Sequence, residues 1–380
     1  MQPQSVLPAE YNQLPDKVLT ERILRHKERF GADLCILGHH YQSDAMIRLA
    51  DFVGDSLKLS QQAAAQKGAR YIVFCGVHFM AESADVLSEP DQIVCLPNMF
   101  AGCAMADMAD VTDVAAAIDE VAALTSDRTV PVTYVNSTAP LKALTARSGG
   151  ACCTSSNAQN VFRWALAARE SGGAGGGKIF AIPDQHLGCN TAVALGYSTS
   201  DCALYDPRLP NGGLTGEQVR HATFILWKGH CYVHQLFRPE HIQNVRARHE
   251  GIRVIVHPEC PHEVVKLADA VGSTEQIIRA VNGSPAGAKW AVGTESNLVN
   301  RLARSNPERF VRILSDAPSI CAMMARIDLP HLLWVLDNLG AGRVVNRVAV
   351  KDDIAAEARI ALGRMINIQA TTDATPNTRR

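Results

Sequence analysis

The stretch DLCILGHHY at residues 33–41 is an apolar run with a polar end, which is typical of a buried strand. Similar runs recur along the chain, and helical patterns separate them: YIVFCGVHF (71–79), VPVTYVNS (130–137), KIFAIPD (178–184), RVIVHPE (253–259) and KWAVGTES (289–296). Because strands that alternate with helices form βαβ units, the pattern predicts an α/β fold with parallel sheets and helices on both faces.

The composition is that of an ordinary globular protein. The chain has 380 residues, 47% of them apolar and 20% charged, and this length allows two or three domains. A net charge of −1 without a Lys/Arg run argues against nucleic-acid binding. No apolar run reaches membrane-spanning length, and the first residues do not resemble a signal peptide. The sequence therefore predicts a soluble cytoplasmic protein.

Polar residues repeat at constant spacing in the first and last thirds of the chain. Ser56 follows His39 by 17 residues, and Thr274 follows a second histidine, at position 257, by the same interval. A cysteine then follows each hydroxyl residue after 47 residues, at Cys103 and Cys321. Such self-similarity is the signature of repeated structural units.

A third copy lies in the middle of the chain. Ser155 and Cys231 are 76 residues apart, which equals the same interval of 47 plus an insertion of 29 residues at 189–217. Tyr134 and Asn136 occupy the strand end, where the outer copies have histidine. The sequence therefore predicts three copies of one α/β unit, and the middle copy carries the insertion. The predicted segments are 1–110, 111–238 and 239–350, with a helix at 352–369 that is a candidate to pack on the first unit, and a flexible tail at 370–380.

Two further segments have loop-like composition. The glycine-rich run SGGAGGGK (171–178) is typical of a flexible connector. The insertion at 189–217 is rich in Gly, Pro, Asn and Asp, which indicates a long loop. Its role as a lid, an oligomer contact or a passive loop is left open.

The chain has eleven cysteines and no CxxC motif. Most of them, including Cys35, Cys75 and Cys95 within strand-like runs, are interpreted as small buried hydrophobic residues. Cys103, Cys231 and Cys321 occupy equivalent positions, and pseudo-threefold packing would bring them to one axis. Three thiolates without a fourth ligand suggest a metal centre with an open position, holding zinc, copper(I) or an iron–sulfur cluster.

Three small polar turns mark the starts of helices: GDS (54–56), TSS (154–156) and GST (272–274). Free backbone N–H groups and a hydroxyl at a helix start form a natural site for phosphate or carboxylate. The alternative is that Ser or Thr simply caps the helix.

The motifs together resemble the quinolinate synthase family of NAD biosynthesis. The matching stretches are GHHYQ (38–42), GDSLKLS (54–60), CGVHFMAESA (75–84), GCAMADM (102–108), TYVNSTAPLKA (133–143), CTSSNA (153–158), PDQHLG (183–188), WKGHCYVH (227–234), HPEC (257–260), DAVGST (269–274) and GTES (293–296). No single motif is diagnostic, but the ordered set is highly specific.

The resemblance implies a fold, a cofactor and a reaction. The implied fold has three pseudo-threefold-related αβα sandwich units with parallel sheets around a central active site. The implied cofactor is one [4Fe-4S] cluster per chain, held by Cys103, Cys231 and Cys321, with an open iron that acts as a Lewis acid. The implied reaction condenses iminoaspartate with dihydroxyacetone phosphate to give quinolinate, phosphate and water. A functional link to aspartate oxidase, as the source of iminoaspartate, follows from the same resemblance. Some relatives carry CxxCxxC at the third ligand, whereas SICAMM leaves Cys321 as the sole candidate here.

The resemblance also implies roles for individual side chains. The implied proton carriers are Tyr41, His234, His257 and Glu259. Burial at the end of a strand is expected to raise the pKa of Glu259, which would suit a general base. The implied substrate-binding residues are His39, Ser56, Tyr134, Asn136, Ser155, Ser273 and Thr274.

Three other functions compete with this interpretation. A zinc-dependent hydrolase or aldolase would use histidines and Glu259 as ligands, although no HExxH or HxxEH pattern is present. An iron–sulfur sensor would need a nucleic-acid-binding element, and the charge distribution offers none. A binding module for anionic metabolites would explain the three helix starts and leave the three equivalent cysteines unexplained.

Overall fold

The computed structural model describes residues 6–167, 176–368 and 375–376. The strands in this part of the chain are β1 Leu34–His39, β2 Phe52–Gly54, β3 Tyr71–Cys75, β4 Ile93–Cys95, β5 Arg128–Tyr134, β6 Ala151–Cys153, β7 Gly176–Ile182, β8 Cys202–Tyr205, β9 Phe224–Trp227, β10 Arg253–Val256, β11 Ala270–Val271, β12 Lys289–Gly293, β13 Phe310–Ile313, β14 Arg347–Val348 and β15 Thr375–Pro376.

Helices separate most of the strands. They are α1 Asp16–Phe30, α2 Asp44–Ile47, α3 Ser56–Ala65, α4 His78–Leu87, α5 Val111–Leu124, α6 Ala139–Arg147, α7 Ala158–Ala167, α8 Gln185–Ala194, α9 Gly216–His221, α10 Tyr232–Gln235, α11 Pro239–Arg248, α12 His262–Leu267, α13 Thr274–Asn282, α14 Ser296–Ser305, α15 Leu329–Gly340 and α16 Asp352–Asn367. Short 3₁₀ helices lie at Ala9–Gln13, Gly31–Asp33, Ala106–Met108, Thr199–Asp201, Pro210–Gly213 and Met324–Arg326.

The strands form three sheets that share one strand order. The first sheet contains β4-β3-β1-β2, the second β9-β7-β5-β6 and the third β13-β12-β10-β11. When the four strands of each set are counted in chain order, the first strand lies between the second and the third. The fourth strand pairs with the other edge of the third. All of these neighbouring strands are parallel. The predicted α/β fold with three repeated αβα units is confirmed.

Each sheet has one further strand outside the repeat. β14 pairs with β4 and β15 pairs with β11, both in antiparallel orientation. β8 pairs with β9 in parallel orientation. The additional strands come from different parts of the chain, so they extend the common four-strand arrangement without changing it.

The chain divides into two compact units. The first ends at Cys103 and resumes for Ile320–Asp352, and the second comprises Ala104–Ser319 and continues from Asp353. The first sheet lies in the first unit, and the second and third sheets lie in the second. The predicted boundaries at 110, 238 and 350 remain predictions.

The predicted C-terminal helix is present as α16. In the second unit, the side-chain amide of Asn157 donates a hydrogen bond to the carbonyl oxygen of Met365, near the end of this helix, at 2.9 Å. Arg147 on α6 forms an ion pair with Glu357 on the same helix. These contacts join the C-terminal helix to α6 and to the turn before α7.

The insertion at 189–217 is folded, so the interpretation as a long loop is wrong. It contains the end of α8, two 3₁₀ helices, β8 and the start of α9. Tyr205 on β8 is buried against Trp227, with the ring centroids 5.8 Å apart. Gly212 has a φ of +65°, and a Cβ there would lie 2.1 Å from the Tyr205 ring. Glycine is therefore required at position 212 by the close contact with Tyr205 and by the left-handed backbone of the turn.

The sheet interiors are apolar because helices cover the strands. Val254, Ile255 and Val256 of β10 have no exposed surface, in agreement with the continuous apolar runs of buried parallel strands. Cys35, Cys75 and Cys95 are also buried, which confirms their interpretation as small core residues. Burial raises the pKa of each of these three thiols to about 12.

Two predicted flexible segments fall largely outside the described residues. For the connector at 171–178 this applies to residues 171–175, whereas residues 176–178 belong to β7. For the tail at 370–380 only 375–376 are described, as β15. None of the described helices is both long and apolar enough to cross a membrane.

Candidate active site

The end of β10 carries two predicted catalytic residues in a tight turn. His257 and Glu259 follow the strand and are 2% exposed. The backbone N–H of Glu259 donates to Nδ1 of His257 at 3.3 Å, so this ring nitrogen is an acceptor. The proton of the neutral imidazole therefore lies on Nε2, which is 3.2 Å from the hydroxyl oxygen of Ser155. The turn thus fixes the tautomer of His257 and directs its donor toward Ser155.

His234 joins this pair from the short helix α10. Its Nδ1 lies 2.6 Å from Oε2 of Glu259, and its Nε2 lies 3.1 Å from the hydroxyl oxygen of Thr294. The His234 ring stacks on the His257 ring, with centroids 4.3 Å apart and planes 12° from parallel. The hydroxyl of Tyr134, at the end of β5, donates to the Glu259 carboxylate. The second unit therefore brings together Tyr134, His234, His257 and Glu259.

The charge state of Glu259 differs from the expectation. Burial by itself raises the pKa of this carboxyl group, as the sequence suggested. Electrostatic interactions with His234 and His257, together with hydrogen bonds from His234 and Tyr134, outweigh burial and lower the pKa to about 2. The expected rise is wrong because it considered burial without the polar neighbours that the fold supplies. Glu259 is therefore a carboxylate at neutral pH.

His257 is held in its neutral form. Burial lowers its pKa, and the nearby His234 lowers it further, to about 3 despite the opposing effect of Glu259. A neutral imidazole with its proton on Nε2 donates a hydrogen bond without carrying charge. This arrangement suits polarisation of a substrate oxygen at neutral pH.

The pKa of His257 predicts a loss of stability in mild acid. Its folded pKa of about 3 lies below the ordinary value of 6.5, so between these values only the unfolded chain binds the proton. We expect the free energy of unfolding to fall as pH drops from 6.5, by up to about 1.4 kcal/mol per pH unit from this one group. His257→Gln should remove that part of the slope in urea unfolding at pH 7, 6 and 5.

Glu259 also makes the free energy of unfolding fall as the pH decreases, but it does so at lower pH than His257. Its folded pKa of about 2 lies below the ordinary value of 4.5, so its contribution is present above pH 4.5 and is lost toward pH 2. The comparison above pH 5 therefore isolates the histidine. Equal slopes for wild type and His257→Gln in that range would contradict the depressed pKa of His257.

The start of α8 holds the segment that carries Cys231. Asp184 caps the helix by accepting hydrogen bonds from the backbone N–H groups of His186 and Leu187, at 2.8 and 2.7 Å. Its other carboxylate oxygen accepts from the backbone N–H of Cys231 at 3.2 Å. Burial raises the pKa of Asp184, and the negative charge of Glu259 adds to the effect. Sequence reasoning assigned no role to Asp184, although PDQHLG places it between a strand and a helix.

The middle of α8 holds the turn that carries Glu259. The side-chain amide of Asn190 donates to the carbonyl oxygens of Pro258 and Cys260, at 2.8 and 2.9 Å. Its oxygen lies 2.8 Å from Nδ1 of His262. Asn190 therefore binds the peptide groups on both sides of Glu259. Sequence reasoning missed this residue because it placed position 190 in a loop.

The first unit contains the equivalent of the β10 turn. His39 ends β1, and its Nδ1 accepts from the backbone N–H of Tyr41 at 3.2 Å, as His257 accepts from the residue two positions later. The rings of His39 and Tyr41 meet edge to face, with centroids 4.7 Å apart. Tyr41 thus occupies the repeat position of Glu259. Ser56 is the first residue of α3, while Asp55 supplies the cap by accepting from the Lys58 N–H.

The predicted hydroxyl groups of the second unit lie at helix starts. Ser273 caps α13, accepts from the Gln276 N–H and receives a hydrogen bond from the Ser156 hydroxyl at 2.9 Å. Thr274 is the buried first residue of the same helix, and Ser155 lies in the turn before α7. Asn136 is half-buried just beyond β5. Ser273 therefore acts as a cap, and anion binding at these helix starts remains a prediction.

Comparison with known proteins connects this arrangement to one family. The family described as quinolinate synthetase A protein matches residues 21–367. The chain belongs to the quinolinate synthase family. Among curated relatives named quinolinate synthase, that of Nocardioides sp. is 50% identical over 361 residues, which cover 94% of this chain and 91% of the relative.

Other relatives in the family have similar coverage. The quinolinate synthase of Streptomyces coelicolor is 50% identical over 355 residues, or 92% of this chain and 88% of the relative. That of Bacillus cereus is 46% identical over 363 residues, or 96% of each chain. Membership in this family confirms the prediction that the chain is an enzyme. It does not support the competing interpretations as a sensor, a hydrolase or a binding module.

The structure separates the cysteines of this quinolinate synthase family member into three groups. Cys35, Cys75, Cys95, Cys152, Cys153 and Cys260 are buried. Cys189 and Cys202 are half-buried and hydrogen-bonded to each other, which lowers the pKa of Cys189 and raises that of Cys202. The remaining three, all half-buried, are the predicted ligands Cys103, Cys231 and Cys321.

The three predicted ligands also have related backbone settings. Cys103 is followed by a turn and the 3₁₀ helix Ala106–Met108, and Cys321 by a turn and the 3₁₀ helix Met324–Arg326. Cys231 directly precedes α10 and occupies its N-cap position. Each cysteine therefore follows a strand, as the repeat predicted, and the structure adds that each stands just before a short helical turn.

This grouping predicts the order of thiol reactivity. In reduced protein without a cluster, we expect N-ethylmaleimide to modify Cys103, Cys231 and Cys321 at least tenfold faster than buried Cys75 and Cys152, whose pKa is raised to about 12 by burial. Peptide mass spectrometry after timed labelling of the native protein measures each rate. Labelling of the buried thiols at the same rate as the half-buried ones would contradict the structure.

One group of side chains in the second unit has the composition of a metal site. The potential ligand atoms of Cys231, His234 and Glu259 all lie within 4.8 Å of one another. Sulfur, imidazole nitrogen and carboxylate oxygen are the usual ligands of zinc. The group includes one predicted cluster ligand and two predicted proton carriers.

Proposed function

We propose that this chain is a quinolinate synthase that condenses iminoaspartate with dihydroxyacetone phosphate in NAD biosynthesis. The reaction releases phosphate and two molecules of water, and it needs no external oxidant because condensation and elimination balance its atoms and electrons. The observation that carries the proposal is the buried cluster of Tyr134, His234, His257 and Glu259 in a member of this family.

The acid–base chemistry follows from the charge states of this cluster. Glu259 is ionised at neutral pH and can accept a proton from carbon or nitrogen of the substrate during imine formation and dehydration. His257 donates from Nε2 in its neutral form and would polarise a carbonyl or hydroxyl oxygen. His234, in contact with Glu259, would relay the proton to the departing group, and Tyr134 orients the carboxylate.

The remaining predicted residues are proposed to bind the anionic substrates. Ser155 lies beside His257, so it would position a substrate group next to that donor. In the first unit, Tyr41 is proposed as a further proton carrier with His39 beside it. Substrate phosphate and carboxylate groups are proposed to bind at the helix starts and strand ends formed by Ser56, Asn136, Ser273 and Thr274.

Cys103, Cys231 and Cys321 are proposed to hold one [4Fe-4S] cluster. Their half-buried thiols fit a soft metal centre, because the other described cysteines are buried in the core or hydrogen-bonded as a pair. Three ligands leave one iron open, and a bound cluster would supply a Lewis acid for the loss of hydroxide. Asp184, through the Cys231 N–H, would orient one ligand.

The decisive experiment measures the cofactor and the product together. Protein purified without oxygen should contain about four irons and four sulfides per chain and should form quinolinate, detected by chromatography. Substitution of any one ligand cysteine by alanine should remove both the cluster and quinolinate formation, whereas the Cys260→Ala protein should keep the cluster and the activity. A colourless protein that contains zinc and is indifferent to the three substitutions would overturn the proposal.

Two further proposals concern the location of the enzyme and its source of iminoaspartate. We place the enzyme in the cytoplasm and link it functionally to aspartate oxidase as the source of iminoaspartate. A coupled assay tests the link. Because aspartate loses two electrons to become iminoaspartate, the assay also contains an electron acceptor for the oxidase. Quinolinate should then form from aspartate and dihydroxyacetone phosphate only when both enzymes are present, and formation without the oxidase would contradict the link.

A further inference from the structure

We propose that, when the chain carries no iron–sulfur cluster, Cys231, His234 and Glu259 bind one zinc ion and that this ion blocks cluster assembly. The zinc site is inferred from the geometry of the second unit alone. The block rests on the proposed function, because it requires Cys231 to be a cluster ligand as well.

The three side chains offer a suitable set of ligand atoms. Sγ of Cys231, an imidazole nitrogen of His234 and a carboxylate oxygen of Glu259 lie within 4.8 Å of one another. His234 and Glu259 are 1% and 2% exposed, and Cys231 is half-buried. The site is therefore shielded on the imidazole and carboxylate side and reachable from the thiol side. Three protein ligands with one open position are typical of reactive zinc centres.

The His234–Glu259 pair already holds a proton at the position that a metal ion would take. Nδ1 of His234 and Oε2 of Glu259 are 2.6 Å apart, and Nδ1–H donates to the carboxylate. In this tautomer Nε2 accepts a hydrogen bond from the Thr294 hydroxyl. A zinc ion bound to both atoms would displace the proton. Ligand atoms bound to tetrahedral zinc lie about 3.3 Å apart, so zinc needs an opening of about 0.7 Å.

Neighbouring groups already orient each ligand. Thr294 contacts the far nitrogen of the His234 ring at 3.1 Å, Tyr134 donates to the Glu259 carboxylate, and Asp184 accepts from the Cys231 N–H. Such outer contacts set ring orientation and ligand basicity in metal sites. The site is therefore largely organised before the ion arrives.

The zinc site and the cluster differ in their other ligands. Cys103 and Cys321 are proposed to bind the cluster and belong to the first unit, whereas no zinc ligand does. His234 and Glu259 would bind zinc and are not cluster ligands. Cys231 is the shared residue, so each metal should exclude the other, and the two sites can be separated by substitution.

Cobalt(II) serves as the spectroscopic probe for zinc. Full-length, cluster-free protein, reduced and kept without oxygen, should bind one cobalt per chain with a thiolate-to-cobalt absorption band, and one equivalent of zinc should remove the band. Cys231→Ser should abolish the band, and His234→Asn and Glu259→Gln should each weaken binding at least tenfold. Cys103→Ala and Cys321→Ala are the matched controls and should bind cobalt like wild type.

A reconstitution experiment tests the block. One equivalent of zinc, added before iron and sulfide, should reduce cluster formation at least tenfold in wild type but not in His234→Asn. Cobalt binding that is absent, or that is lost equally in Cys103→Ala and Cys321→Ala, would overturn the zinc site. Full cluster assembly in zinc-loaded wild type would overturn the block. If wild type forms no cluster without zinc, the proposed cofactor fails, and the cobalt experiment still decides the zinc site.

Discussion

Glu259→Gln is expected to lower kcat for quinolinate formation about 100-fold or more, because a positioned general base contributes on the order of 10²–10⁴ in rate. The substitution keeps the size of the side chain and removes its charge. The amide cannot accept a proton, and its NH₂ group would face donors that now bind a carboxylate, including Tyr134. The measurement is the steady-state rate over substrate concentration, with the cluster content determined for each preparation.

A matched control is available close by. Glu263 lies four residues later, on α12, and is exposed. Glu263→Gln removes one negative charge from the same region without touching the buried cluster, so kcat should stay within twofold of wild type. A Glu259→Gln enzyme with a normal cluster content and a kcat within tenfold of wild type would remove Glu259 from the proposed acid–base role.

Asn190→Ala is expected to lower both stability and kcat. The substitution leaves the buried carbonyl groups of Pro258 and Cys260 without their donor and removes the partner of His262. Each buried group that loses its hydrogen bond costs about 1–3 kcal/mol, so we expect the free energy of unfolding to fall by about 2–5 kcal/mol. The released peptide groups flank Glu259, and we expect kcat to fall at least tenfold at temperatures well below the unfolding transition.

Asn306 provides the control for a purely structural effect. Its buried amide donates to the side-chain oxygen of Asn282 and to the carbonyl oxygen of Leu302, and its oxygen accepts from Arg309. Asn306→Ala should therefore cost similar stability and leave kcat nearly unchanged when folded protein is assayed. Equal effects of the two substitutions on kcat would show that Asn190 acts only through global stability.

The repeat shows which features of the fold can be predicted from the sequence alone. Equal intervals from His39 to Ser56 and from His257 to Thr274 predicted equivalent positions, and the structure places both histidines in the same strand-end turn. The prediction succeeded because both copies have one short helix and one short strand between the strand end and the helix start. The insertion in the middle copy changes a different interval, from the helix start to the cysteine, so this copy matches only when 189–217 is set aside.

Asp184 and Asn190 illustrate what sequence reasoning missed. Asp184 contacts Cys231, 47 residues later, and Asn190 contacts residues 258 and 260 in the turn after β10. Neither contact leaves a local pattern, because hydrogen bonds between distant segments have no fixed spacing. The glycines and prolines of 189–217 favoured a loop, although Gly212 is required there by close packing against Tyr205.

The sequence by itself determined the α/β class, the threefold repeat, the equivalent cysteines and the family. These follow from hydrophobic periodicity, from constant spacing and from motifs in order, all of which are local or one-dimensional properties of the chain. Only the tertiary structure decided the charge of Glu259, the tautomer of His257 and the contacts of α8 with the site. Burial raises the pKa of a carboxyl group and nearby polar groups lower it, so the balance depends on which distant side chains the fold brings within hydrogen-bonding distance.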